Sequence, residues 1–265
     1  MGSDNGFEAN GGHRRHPGKT LPYEEDINVP LVVRGPLVPA GLVDDASVYS
    51  LADLGATILH LAGASADFEV DGTPVPLTAP DRARQDLAGG PKQHHLAEYW
   101  VEGVVEGRFA SGRTLEQKYR AVRVVDGALD LSYAVWCTGE HEVYDLRRDP
   151  DQMRNLALDK YAGAAAADLD LARLRPRLDA LLLVLKTCVG EVCNKPWKAV
   201  FPGGGVDSLA GALRAEFDGY FAGLPKVQYT NCNLGYHRKL EHPFWHDDLA
   251  FDKRVADQVK FVIQA

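Results

Sequence analysis

Hydrophobic positions along the chain follow two different spacings, and they divide it into two parts. The first run, "VPLVVRG" at 29–35, is short, continuous and bounded by Pro and Gly. That pattern predicts a strand buried on both faces, as in a parallel sheet. In "SLADLGATILHLAG" at 50–63, Leu51, Leu54, Ile58, Leu59 and Leu61 recur near helical spacing, and Gly63 is placed to end the helix. Strand, loop and helix in this order predict an α/β layer. Residues 1–26 are polar and glycine-rich and read as loop, as do residues 64–95 with their Pro, Asp and Gly. A boundary near 92 gives two expected units, 1–92 and 93–265.

Beyond the boundary the spacing shortens. "LAEYWVEGVV", "KYRAVRVV", "LDLSYAVWCT" and "HEVYDL" are β-prone runs. Asp126–Gly127 is a strong hairpin signal between the second and third runs, and "TGEH" at 138–141 is another turn. An antiparallel meander is expected. "RRDPDQMRNLA" reads as a turn into a short helix, and residues 165–187 as a longer one with Pro176 in a first-turn position. "DSLAGALRAEFDGYFAGL" predicts one helix capped by Asp207 or Ser208, and "FDKRVADQVKFVIQA" a last one.

Composition adds limits. The 265 residues are 45% apolar and 25% charged, enough to bury a sizeable core. The formal net charge of −8 argues against a general nucleic-acid or anionic-membrane surface. No apolar run reaches the length of a membrane span, and no signal peptide is expected. The four cysteines, Cys137, Cys188, Cys193 and Cys232, leave two readings open. "CVGEVC" suits a small disulfide loop, and an even count fits two disulfides in an oxidising compartment; four buried thiols are the other reading. A zinc site is disfavoured, because C-x4-C lacks the paired C-x2-C spacing and no histidine is near. No N-glycosylation sequon is present.

The candidate chemistry lies in "MGSDNGFEANGGHRRHPGK". Asp4 and Asn5 offer adjacent oxygen donors of the kind a hard cation such as Ca²⁺ takes, and Gly6 lets the backbone turn away sharply. Two donors cannot fill a shell of six to eight, and an Asx-turn explains a bare "DNG" equally well. Lys19 beside a metal would complete an anion site; alone it is a solvated loop lysine. His13 and His16 are proton-donor candidates or surface histidines.

In order, "SDNG", "GHRRHPGK" and "YEEDINVPLVVRGP" resemble the late active-site segment of the formylglycine-dependent sulfatases. "SLADLGATILHLAG" resembles the helix after that segment, and "KYRAVRVV" and "YAVWCTGEHEVYDLRRDPDQMRNLA" the C-terminal subdomain. "RLDALLLVLKTCVGEVCNKPW" resembles the tail of fungal and algal arylsulfatases. The resemblance implies the C-terminal part of an alkaline-phosphatase-like α/β domain over 1–92, followed by a smaller antiparallel-sheet-and-helix subdomain over 93–265. It implies Asp4 and Asn5 as two Ca²⁺ ligands, and Lys19 as the lysine contacting the sulfate and the ester oxygen. His13 matches the histidine of the family's HR pair, and His16 has no firm role. The glycine-rich stretch is about one residue longer than usual, and Glu8 stands where many relatives have histidine.

The family's nucleophile is a formylglycine made from the cysteine of C-x-P-x-R. No cysteine here begins that motif; Cys193 reads "CNKPW". The expectation is therefore an arylsulfatase-like chain acting on a small sulfate ester only when completed by the missing half, and inactive alone. The resemblance also implies an extracellular or secretory location. The alternatives are a non-catalytic binding fragment or a reading frame truncated at an internal methionine. A phosphatase or phosphonate hydrolase is a third option, which the arylsulfatase-like tail disfavours.

Overall fold

The computed structural model describes residues 1–7, 18–100, 118–162, 169–232 and 241–242. Its centre is the expected antiparallel meander: β1 (His94–Tyr99), β2 (Tyr119–Asp126), β3 (Leu129–Trp136) and β4 (His141–Asp145), side by side in chain order. Asp126 pairs with Leu129 across Gly127 and Ala128. Gly127 has φ 58°, the left-handed geometry that so tight a hairpin needs. β1 begins at His94, earlier than the apolar run, because His94 is itself buried.

Alternation sends the sheet's residues to two covered faces. Val122, Val124, Leu131, Tyr133, Val135 and Val143 face the helical layer. Tyr119, Ala121, Ala134, Trp136 and Tyr144 face the other way, onto Leu21 and Tyr23 from the start of the chain. The helical layer is led by α5 (Leu171–Leu185), against which α7 (Pro196–Val200) and α9 (Asp218–Gly223) pack. Asp170 caps α5 by accepting the Ala172 and Arg173 N–H groups. Pro176 therefore sits inside the helix and not in its first turn. The single helix expected over 207–224 is broken instead. Ser208 caps α8 (Leu209–Ala212), Arg214 turns extended at ψ 139°, and a 3₁₀ turn leads into α9. Glycines at 211, 219 and 223 weaken a continuous helix there.

The expected short helix is α4 (Asp159–Ala162). Another short helix, α6 (Glu191–Asn194), precedes α7, and β5 (Gln228–Tyr229) pairs with β6 (Glu241–His242). The helix expected over 251–265 lies outside the described residues. All four cysteines are paired, Cys137 with Cys232 and Cys188 with Cys193, which settles the open question in favour of two disulfides.

Two expectations for the first part are corrected. Residues 29–35 form no strand; Leu31, Val32 and Val33 are exposed, and Val32 exchanges backbone hydrogen bonds with Met1. Residues 64–95 are not all loop, since α3 (Ala79–Leu87) starts there on a Thr78–Asp81 capping box. The predicted helix is present as α2 (Leu51–Leu61), with Gly63 at φ 61° just past its end. Its burial is inverted, however: Leu51, Ile58 and Leu61 are exposed, while Asp53 and Thr57 are buried. Asp53 is anchored from four directions, by Lys92 Nζ at 2.8 and 2.9 Å, Ser50 N, Ser50 Oγ and Thr73 N. Charge-assisted bonds of this kind repay the burial of a carboxylate.

His94 links the sheet to the small disulfide loop. Its Nε2 donates to the Cys193 carbonyl at 2.7 Å, and burial pushes its pKa down to about 4. The unfolded imidazole takes its proton near pH 6.5, so stability present above that pH is lost as pH falls toward 4. At pH 5 the cost from His94 alone is about 2 kcal/mol. His95, also held near 4 by burial, acts in the same sense. Asp179, raised by burial to about 6, acts in the opposite sense below that pH. Urea unfolding at pH 7 and pH 5 should show a smaller pH dependence in His94→Gln, whose amide keeps a donor for Cys193. An identical pH dependence in both proteins would refute this account of His94.

Candidate functional site

Two limbs of the chain carry the predicted site residues, and both end on one short helix. The first limb is residues 1–7. Ser3 Oγ donates to the Asn5 carbonyl at 2.8 Å, and Asn5 Nδ2 donates to the Gly6 carbonyl at 2.6 Å. Asp4 is exposed and Asn5 half-buried. Gly6 N–H then donates to the Asp26 carbonyl at 2.8 Å. A Cβ on Gly6 would stand 1.8 Å from the Glu25 carbonyl oxygen. The glycine therefore serves a backbone-to-backbone approach and not the sharp turn expected from the sequence.

The second limb is residues 18–23. Lys19 is exposed, and two residues later Leu21 N–H donates to Asp26 Oδ2 at 2.8 Å. Asp26 itself lies in α1 (Glu24–Ile27) and is 4% exposed. Asp4 and Lys19 are each two residues from a backbone amide held by Asp26, a reach of at most about 7 Å of chain. His13, His16 and Glu8 lie outside the described residues.

Helix α1 is fastened to the sheet. Arg123 of β2 places Nε 2.9 Å from Glu24 Oε1, and it also pairs with Asp130 of β3. Glu24 N–H donates to Gln152 Oε1 at 2.8 Å, and the Tyr23 hydroxyl donates to Glu142 Oε1 at 3.1 Å. Gln152 is buried and has φ 50°, a left-handed conformation that costs a non-glycine residue about 1 kcal/mol. Burial, and secondarily the nearby Asp26 carboxylate, push the Tyr119 hydroxyl's pKa up beneath this joint.

The donor chemistry fits a hard cation in kind: a carboxylate from Asp4 and an amide oxygen from Asn5. In number it supplies part of a shell. Among the described residues no group of three or more His, Cys, Asp or Glu is placed to hold a metal. Sequence reasoning did not single out Asp26, Glu24, Arg123 or Gln152. The available signal was "YEEDI", three acidic residues beside an apolar strand pattern, of which one had to be buried.

Among the described residues, no helix is long and apolar enough to cross a membrane. A sulfatase family model matches residues 1–64, the segment that carries both limbs and α2. Sulfatase ppz1 of Metarhizium majus is 36% identical over 243 residues, covering 91% of this chain and 48% of the relative. An arylsulfatase of Volvox carteri is 36% identical over 243 residues, covering 87% of this chain and 36% of the relative. The chain thus spans about half the length of the first relative and about a third of the second. A solved structure from Bacteroides thetaiotaomicron, described as a sulfatase, matches 62% of this chain and 32% of its own at 21% identity and a TM-score of 0.42. With the family match over both limbs and these identities over most of its length, the chain belongs to the sulfatase family.

Proposed function

We propose that the chain supplies part of the metal and sulfate site of a sulfuric ester hydrolase of the arylsulfatase type, built on an alkaline-phosphatase-like α/β domain. Asp4 and Asn5 give two oxygen ligands to Ca²⁺, and Lys19 neutralises the sulfate and steadies the ester oxygen. His13 is the proton-donor candidate. Bound Ca²⁺ would supply charge stabilisation to the sulfate oxygens. The observation that carries this reading is the meeting of the Asp4–Asn5 limb and the Lys19 limb on Asp26.

The nucleophile is the part this chain does not offer. All four cysteines are in disulfides and none begins C-x-P-x-R, so formylglycine has to come from outside these 265 residues. Residues 1–92 are the portion belonging to the catalytic domain, and residues 93–265 form the subdomain that supports it. The substrate class is a small sulfate ester, met in an extracellular or secretory compartment that both disulfides suit.

The purified chain is expected to leave 4-nitrophenyl sulfate unhydrolysed in the presence of Ca²⁺. Backbone amide shifts at Asn5 and Lys19 should nonetheless move when Ca²⁺ and inorganic sulfate are added together. Turnover by the chain alone would overturn its proposed incompleteness, and unmoved shifts would overturn the site.

A second reading, a binding fragment, is favoured by one observation. Leu31, Val32 and Val33 are exposed, and α2 exposes Leu51, Ile58 and Leu61. Concentration-dependent association of the same sample in sedimentation, with no response to Ca²⁺ and sulfate, would support that reading.

A further inference from the structure

We infer that Asp26 is a positioning residue that holds the Asp4–Asn5 limb and the Lys19 limb in register with each other and ties both to the antiparallel sheet. The inference rests on the site reading given above. Asp26 uses two different groups for the two limbs. Its main-chain oxygen accepts Gly6 N–H and its carboxylate Oδ2 accepts Leu21 N–H, both at 2.8 Å. A residue with only one acceptor could hold one limb and not the other.

The contact on the first limb admits no slack. Gly6 is packed so closely on the α1 backbone that an added methyl would overlap Glu25 O at 1.8 Å and Glu25 C at 2.8 Å. The contact on the second limb is a bond from a buried amide to an anion, which is stronger and shorter than a neutral one. Asp26 in turn closes the turn of α1, donating its own N–H to the Tyr23 carbonyl at 2.9 Å.

What α1 rests on is equally defined. Arg123, Gln152 and Glu142 reach it from β2, from the turn after β4 and from β4 itself. Gln152 holds its left-handed conformation with its amide oxygen on Glu24 N–H, and its own N–H bonds Asp149 O at 2.9 Å. Strain of this kind persists where surrounding contacts over-determine it. The C-terminal sheet thus serves as the reference frame for the two limbs, with Asp26 as the joint.

The test compares the wild-type chain with Asp26→Ala by two readouts. The first is hydrogen exchange at the Gly6 and Leu21 amides, with Val122 and Val124 of β2 as controls for the fold. Asp26→Ala should speed exchange at Leu21 by roughly tenfold, the ratio equal to about 1.4 kcal/mol. Gly6 should quicken with it as α1 loosens, while the controls keep their protection. Asp26→Asn, which retains a neutral acceptor, should restore part of the Leu21 protection.

The second readout is the shift response of Asn5 and Lys19 to Ca²⁺ with inorganic sulfate. In the wild type both residues should follow one midpoint; in Asp26→Ala the two midpoints should separate. Wild-type protection of both amides in Asp26→Ala, or a common unchanged midpoint, would overturn the inference. A wild type that ignores Ca²⁺ and sulfate sinks the site reading, while the exchange readout still judges the joint. Should Asp26→Ala not fold, Gly6→Ala opens the first limb alone. It is expected to expose Gly6, spare Leu21 and move only the Asn5 midpoint; equal effects on both limbs would count against Asp26 as the joint.

Discussion

Replacing Cys137 and Cys232 together by serine is expected to lower the unfolding free energy by about 4–5 kcal/mol. The bond closes a loop spanning 95 residues that contains β4, the entire described helical layer and β5. Cross-linking acts on the unfolded chain, and its effect grows with the logarithm of the loop. The folded side adds a local term. Cys137 N–H bonds Lys118 O at 2.9 Å, and the buried Lys118 ammonium reaches Cys232 O at 3.3 Å. Freeing residue 232 therefore leaves an ammonium with one acceptor fewer. The second bridge spans only 5 residues, so Cys188→Ser with Cys193→Ser should cost about 2 kcal/mol. Urea titrations of the two double variants would check the pair of values. Equal losses would show that loop length is not what sets the effect.

Arg177→Leu carries the next largest expected effect, a loss of about 3 kcal/mol. Arg177 is 1% exposed in the middle of α5, and its guanidinium is used on every side. Nε donates to the Ala212 carbonyl at 3.0 Å, NH1 to the Arg173 carbonyl at 2.9 Å and NH2 to Asp218 at 2.6 Å. The plane also lies over the Phe221 ring at 4.6 Å. One side chain thus joins α5, α8 and α9. Breaking a fully buried pair costs about 3–5 kcal/mol. The lower end applies because Asp218 is 41% exposed and keeps Arg173 at 2.9 Å. Arg177→Lys retains the charge but not the fork, so it should recover less than half of the loss. Full recovery in the lysine variant would mean that charge alone, without the three-way geometry, joins the helices.

The meander could be read from the sequence because its signals are local. Asp126–Gly127 fixes a tight hairpin, and the β-prone runs on either side have the length of strands. Helix α2 was readable in extent from its apolar spacing and Gly63, but not in orientation. Its apolar stripe predicted a buried Ile58, whereas Asp53 is what lies inside. That outcome depends on Lys92 and Thr73, 39 and 20 residues away, and no helical spacing encodes them. The run at 29–35 has the composition of a buried strand, but no strand pairs with it among the described residues. Thr78 and Asp81 spell the capping box of α3, but Pro80, Gly72, Gly89 and Gly90 give the segment the composition of a loop. At the candidate site, residue types and order pointed to Asp4, Asn5 and Lys19. Asp26 stayed hidden because its role depends on two amides at separations of 20 and 5 residues and on a sheet that starts at residue 94.

The fastening of α1 also sets an order in time. A ribosome makes the chain in sequence order, so both limbs emerge before residues 123–152 that support them. Glu24 waits for Arg123, Tyr23 for Glu142, and the Glu24 amide for Gln152. Until about residue 152 has left the exit tunnel, Tyr23 and Glu24 lack the contacts that fasten α1 to the sheet. The residues proposed to meet calcium and sulfate thus precede their support in the order of synthesis.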